Sequence, residues 1–136
     1  MNSMVSARTV RRIGAASLIV PTVDHLVSPT LTMLFAPAIM STMFGPGAFA
    51  AVVFFILLGL FQLASIGIIV KSNNRGFFAL GILGNLVSIL IYFISTSGVT
   101  IFGVPPQPLI PFGILIKALE GVFVAASAYL LSSGLR

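Results

Sequence analysis

The sequence predicts an all-α protein, a four-helix transmembrane bundle with both termini on the cytoplasmic side. Three observations lead there. Charged residues make up only 7% of the 136 residues and hydrophobic ones 58%, whereas soluble domains carry roughly 25% charge because their surfaces must be solvated. Four apolar runs each approach the ~20 residues that a membrane helix needs. Lys and Arg gather on alternate connections between those runs.

The first span, about 13–35, opens after Arg8, Arg11 and Arg12. Pro21 and Pro29 remove backbone donors inside it, which predicts a kink or an early end. It also carries Asp24 and His25 and is the least regular of the four. An uncharged linker follows, punctuated by Gly45, Pro46 and Gly47. The second span, about 48–70, holds Gln62 and no charge. Lys71 to Arg75 reads as a short polar turn, so the second and third spans (the third about 76–94) should form an antiparallel hairpin. The outer loop 97–111 contains Pro105, Pro106, Pro108 and Pro111 and cannot be helical throughout. The fourth span runs over about 112–131, and the whole chain, 1–136, reads as a single membrane domain.

Orientation follows from the basic residues. Arg8, Arg11, Arg12, Lys71, Arg75 and Arg136 all fall on one side of this layout, and the two opposite loops contain no Lys or Arg. That bias places both ends in the cytoplasm of a multi-pass protein of the cell membrane. Arg11 and Arg12 before an apolar run also resemble a signal peptide, but no small-residue cleavage site follows directly, so cleavage is not expected.

Several function classes are excluded. The chain has no cysteine, hence no disulfide framework or thiol nucleophile. Its net charge of +5 is topological charge, not a basic stripe interleaved with aromatics, so nucleic acid is not an expected partner. No nucleophile elbow, phosphate loop or HExxH motif is present. The loops are too short for a catalytic domain, and no catalytic activity of its own is expected.

The residues with potential for chemistry lie inside the spans, where an ionisable side chain costs roughly 2.5–3.5 kcal/mol at the helix centre. They are Asp24, His25, Lys117 and Glu120, joined by the uncharged Gln62 and Asn85. Counted from the basic end of each span, Asp24, His25, Gln62, Asn85 and Glu120 all fall about 8–12 residues deep at ~1.5 Å per residue. A polar network across the bundle requires such a shared depth. It reads in three ways: structural glue between helices, a proton or small-ligand site on Asp24, His25 and Glu120, or one His with two carboxylates as a divalent metal site. No paired-His spacing supports the metal, His25 is the only His, and no cofactor is expected. Lys117 and Glu120, spaced i,i+3, can neutralise each other, or Lys117 can snorkel outward and leave Glu120 to His25. Small residues, among them Gly59, Gly84, Ser88, Gly113, Gly121 and Ala125, mark faces for close packing within the bundle or against another protein.

The stretch from Gly59 to Gly98, a later Phe-Gly pair and a Glu in the last span resemble a family of small, mostly uncharacterised four-span proteins. That family has a His in its first span and a pattern like Q…R…G…N…W…SRTxGxPFG…D…E. His25, Gln62, Arg75, Gly81, Asn85, Ser95, Phe102, Gly103 and Glu120 fit it. Two positions depart: Thr96 stands where the pattern has Arg, and Gly113 where it has Asp. A charge network built on those residues would be rewired here, with Lys117 as a candidate replacement. The likeness to DoxX-like proteins is one of four-span architecture only.

The leading functional expectation is a non-catalytic accessory subunit of a larger integral membrane complex. Lipid and other membrane subunits are its partners, and a membrane oxidoreductase such as a copper monooxygenase is one candidate setting. The alternative is a small proton-linked carrier or channel centred on Asp24, His25 and Glu120.

Overall fold

The computed structural model describes residues 5–134; Arg136, counted above among the basic residues, lies outside them. The protein is all-α and contains four helical stretches long and apolar enough to cross a membrane: Ala7–Phe35, Pro37–Lys71, Arg75–Ser95 and Pro111–Ser132.

The first stretch is two helices, α1 (Ala7–Ser17) and α2 (Ile19–Phe35). It starts six residues before the expected Ile13, because Ser6 caps it: its Oγ accepts the Thr9 N–H at 3.2 Å. The break at Leu18 has a covalent cause. Pro21 has no N–H to offer the Ser17 carbonyl, so the ladder lapses there and resumes with Thr22 N–H to Leu18 O at 2.9 Å. Pro29 sits inside α2 without ending it, where the expectation allowed an early stop.

The linker expected over 36–47 is instead largely helical: α3 (Pro37–Phe44) and a 3-10 turn, Gly45–Gly47, lead into α4 (Ala48–Lys71). Pro37 starts α3 at a position where its missing donor costs nothing. Gly45, at φ +54°, ends it in the left-handed region that glycine enters freely. Met40 of α3 packs with Ala48 and Val52 of α4, against Met33 and Phe44. The third and fourth spans are α5 (Arg75–Ser95) and α6 (Pro111–Ser132). Asn74 caps α5 by accepting the Gly76 and Phe77 N–H groups at 2.9 and 3.2 Å, and Pro111 opens α6.

α4 packs on α2, α1 and α5, while α6 closes the bundle against α5 and α1. At the end bearing Arg8, Arg11, Arg12, Lys71 and Arg75, the interior holds an apolar cluster of Val10, Leu18, Ile69, Phe78, Phe123, Ala126 and Leu130, with Ser17 and Ser127 also buried in that half. Gly14 lies tight against it, since a Cβ there would run into Ile69 and stand 3.1 Å from the Ala126 methyl. Two of the basic residues do more than mark an end. Arg11 donates to the carbonyls of Ile69 and Ser72 at 2.7 and 2.8 Å and to Asn73 Oδ1 at 2.7 Å. Arg75 donates to Leu131 O at 3.4 Å. Both meet carbonyls that a helix C-terminus leaves without intrahelical donors.

The opposite end is roofed by the loop after α5. Ile101 and Val104 exchange backbone hydrogen bonds of 3.0 and 2.8 Å around a tight turn in which Phe102 and Gly103 both have positive φ. Gly47 N–H donates to Gly103 O at 3.2 Å, and Gln107 Nε2 to Met43 O at 2.9 Å. A Cβ at Gly47 would stand 2.7 Å from the Val104 nitrogen, so only glycine lets the roof settle on the α3–α4 junction.

Candidate functional site

Each span contributes at least one polar side chain to a buried layer near mid-bundle. His25, Gln62, Asn85, Ser88, Lys117 and Glu120 are all buried, with Gln62, Asn85 and Glu120 at 0% exposure. Gln62 is the hub. Its Nε2 donates to Glu120 Oε1 at 2.8 Å and to Asn85 Oδ1 at 3.3 Å, and its Oε1 lies 2.8 Å from His25 Nδ1. Asn85 Nδ2 donates back to Gly81 O at 2.9 Å. Lys117 Nζ stands 3.0 and 3.1 Å from the two Glu120 oxygens and 2.9 Å from Ser88 Oγ. Ser88 in turn reaches both Glu120 oxygens at 3.2 and 3.1 Å.

This wiring has a direction. A carboxylate only accepts, so Glu120 draws the amide N–H of Gln62 and turns the Gln62 carbonyl toward His25. His25 must then carry its hydrogen on Nδ1, which leaves Nε2 as a lone-pair acceptor in the neutral ring. The imidazole is also stacked on Phe55, with centroids 5.6 Å apart and planes 15° apart.

Of the six residues singled out from the sequence, His25, Gln62, Asn85, Lys117 and Glu120 lie in this network and Asp24 does not. Asp24 is half-buried, and its side chain takes a hydrogen bond from Ser28 at 3.0 Å. The reason is azimuthal. Neighbours on a helix point about 100° apart at 3.6 residues per turn, so with His25 facing the bundle axis Asp24 cannot. His25 and Glu120 do not meet directly, because Gln62 stands between them, and Lys117 turns inward to Glu120 instead of snorkelling. Among the described residues no three His, Asp or Glu side chains converge as a metal site would need.

Above the layer, away from the basic end, lies a cavity of about 410 Å³. Its floor includes His25, Ser88 and Lys117, its wall Asp24, Phe55 and Tyr92, and its roof Phe102, Val104 and Gln107. The Tyr92 hydroxyl is buried without a hydrogen-bond partner, while its ring lies 5.7 Å from Lys117 Nζ. Gly113 makes this possible, since a Cβ there would come within 2.5 Å of that hydroxyl. Sequence reasoning missed Tyr92 as a site residue and saw Ser88 only as a small residue for packing. Ser88 was detectable, lying one turn beyond Asn85 on the same face of α5.

Comparison with known proteins adds no relative: no family model, curated protein or solved structure matches the chain. The site is therefore read from its geometry.

Proposed function

We propose that this chain is a multi-pass protein of the cell membrane, with cytoplasmic termini, that holds a small and largely apolar molecule in the outer half of its bundle. The observation carrying this is the cavity of about 410 Å³ over a polar floor. Its volume falls in the ~300–1,000 Å³ range of small-molecule sites, and its mostly apolar wall with few polar groups is typical of them. The orientation rests on Arg8, Arg11, Arg12, Lys71 and Arg75 sharing one end. The apolar cluster at that end favours a site open on one side over a channel. Gln62 weighs against the proton-linked reading, because its amide separates His25 from Glu120 and is a poor proton carrier.

Ala51 is 7% exposed and lines the cavity, so Ala51→Phe fills space that a ligand would use. The expected result is that a small molecule seen by native mass spectrometry of the wild-type protein, gently extracted from its own membrane, falls in occupancy by about tenfold or more in the variant. Thermal unfolding should be little changed. Equal occupancy in the two proteins, or a wild type that carries and accepts no small molecule, would overturn the reading.

A second reading, the accessory subunit, is favoured by one face of α6. Gly59, Gly84 and Gly113 are used inside the bundle, against Leu26, Phe61 and Tyr92, but Gly121 has open space where a Cβ would be. Ala118 and Ala125 are exposed beside it, so another helix could approach closely there. Gly121→Leu is expected to abolish co-migration with a partner on a native gel while leaving the cavity's occupant in place. A wild-type chain that migrates alone removes this reading.

A further inference from the structure

The charges of the buried region do not cancel. Lys117 is committed to both oxygens of Glu120 and to Ser88. Among the described residues that is the one ion pair, and it leaves Asp24 as a second carboxylate with a serine hydroxyl as its hydrogen-bond partner. A carboxylate at this depth is expensive unless a positive charge stands near it, and the cation that faces the same cavity, Lys117, already serves Glu120 and Ser88.

Asp24 also occupies a particular place. It lines the main cavity, and it lines a shallow groove on the outer surface with Val20, Val23, Val27 and Phe112. Asp24, Ser28 and Phe112 belong to both, which puts the carboxylate at the gap between α2 and the start of α6, within reach of the lipid side and of the interior alike. Inside, the rings of Phe44, Phe54, Phe55 and Tyr92 line the cavity, and aromatic faces attract cations. His25 Nε2 adds a lone pair of the same electrostatic sense.

Building on the cavity reading above, we propose that the occupant is a lipophilic monocation, such as a hydrophobic amine or quaternary ammonium, which enters from the lipid between α2 and α6 with Asp24 as its counter-ion. The occupant gives Asp24 a positive partner not shared with Glu120, and its apolar body fills the aromatic chamber.

The test uses the full chain purified in neutral detergent and two probes of nearly the same size and shape but opposite charge, tetraphenylphosphonium and tetraphenylborate, with uncharged triphenylphosphine as a third. The expected result is saturable binding of the phosphonium, at least about tenfold tighter than the borate. Asp24→Asn should weaken the phosphonium by about tenfold or more, and Asp24→Glu should restore most of the affinity. If phosphonium and borate bind alike, or if Asp24→Asn binds the phosphonium like a correctly folded wild type, the charge assignment is overturned while the cavity reading stands. If none of the three probes binds the wild type, both are overturned. The comparison of probes on the wild type holds even if a variant fails to fold.

Discussion

Lys117→Met is expected to destabilise the protein by about 3–5 kcal/mol, the usual effect of leaving one member of a buried ion pair alone. Glu120 is fully buried and takes its positive partner from Lys117 at 3.0 Å. Methionine keeps most of the side chain's volume but none of its donors. Ser88 and Gln62 would still reach the carboxylate, but neither carries charge. The companion experiment replaces both, Lys117→Met with Glu120→Leu. An apolar substitute for a whole buried pair is often neutral or even stabilising, so the double variant should recover most of the loss. Unfolding in mixed micelles, followed by circular dichroism, gives both values. A loss below about 1 kcal/mol for Lys117→Met would match an ordinary interhelical hydrogen bond and would mean that Glu120 does not depend on the ammonium.

Gln62→Leu is expected to be the second largest effect. It strands the His25 Nδ1–H and removes one donor from Glu120. Each buried group left unsatisfied costs about 1–3 kcal/mol. Asn85→Leu should cost less, because the Gln62–Asn85 contact is longer, at 3.3 Å, and the other Asn85 bond goes to a carbonyl of its own helix. The same unfolding assay ranks the two variants, and an inverted order would displace Gln62 as the hub. Gln62→Leu carries a second consequence that simple loss of packing does not. With the carbonyl gone, nothing holds the His25 hydrogen on Nδ1, so ligand binding in the cavity should weaken even in molecules that remain folded.

Much of this could be read from the chain, and the failures have physical causes. The count of four spans and the shared depth of Gln62, Asn85 and Glu120 depend only on rise per residue, which apolar length reports well. Depth says nothing about azimuth, so a reading by depth groups Asp24 with His25 although adjacent residues on a helix face different ways. The helical character of 37–44 was also present in the letters, as Pro37 at its start and Gly45 just past its end. The break signal of Gly45, Pro46 and Gly47 masks it, because the same residues that end one helix also read as loop. The early start of α1 needed Ser6 to be recognised as a cap. The cavity could not have been foreseen, because it exists only where α3 and the roof loop meet side chains from four other helices.

The apolar cluster at the basic end also bears on how this protein would behave in an energised membrane. Leu18, Ile69 and Leu130 are at 0% exposure and Phe78 at 1%, so apolar side chains close that half of the bundle below the cavity. A potential of 100 mV offers an elementary charge only about 2.3 kcal/mol, whereas an unpaired ion entering so apolar a medium faces a Born cost of tens of kcal/mol. With the chain spanning the membrane as proposed, the voltage would fall across the cluster without driving current through it. In the orientation proposed above, a cell could hold many copies without short-circuiting its gradients, and a charged occupant of the chamber would feel mainly the outer face of the membrane.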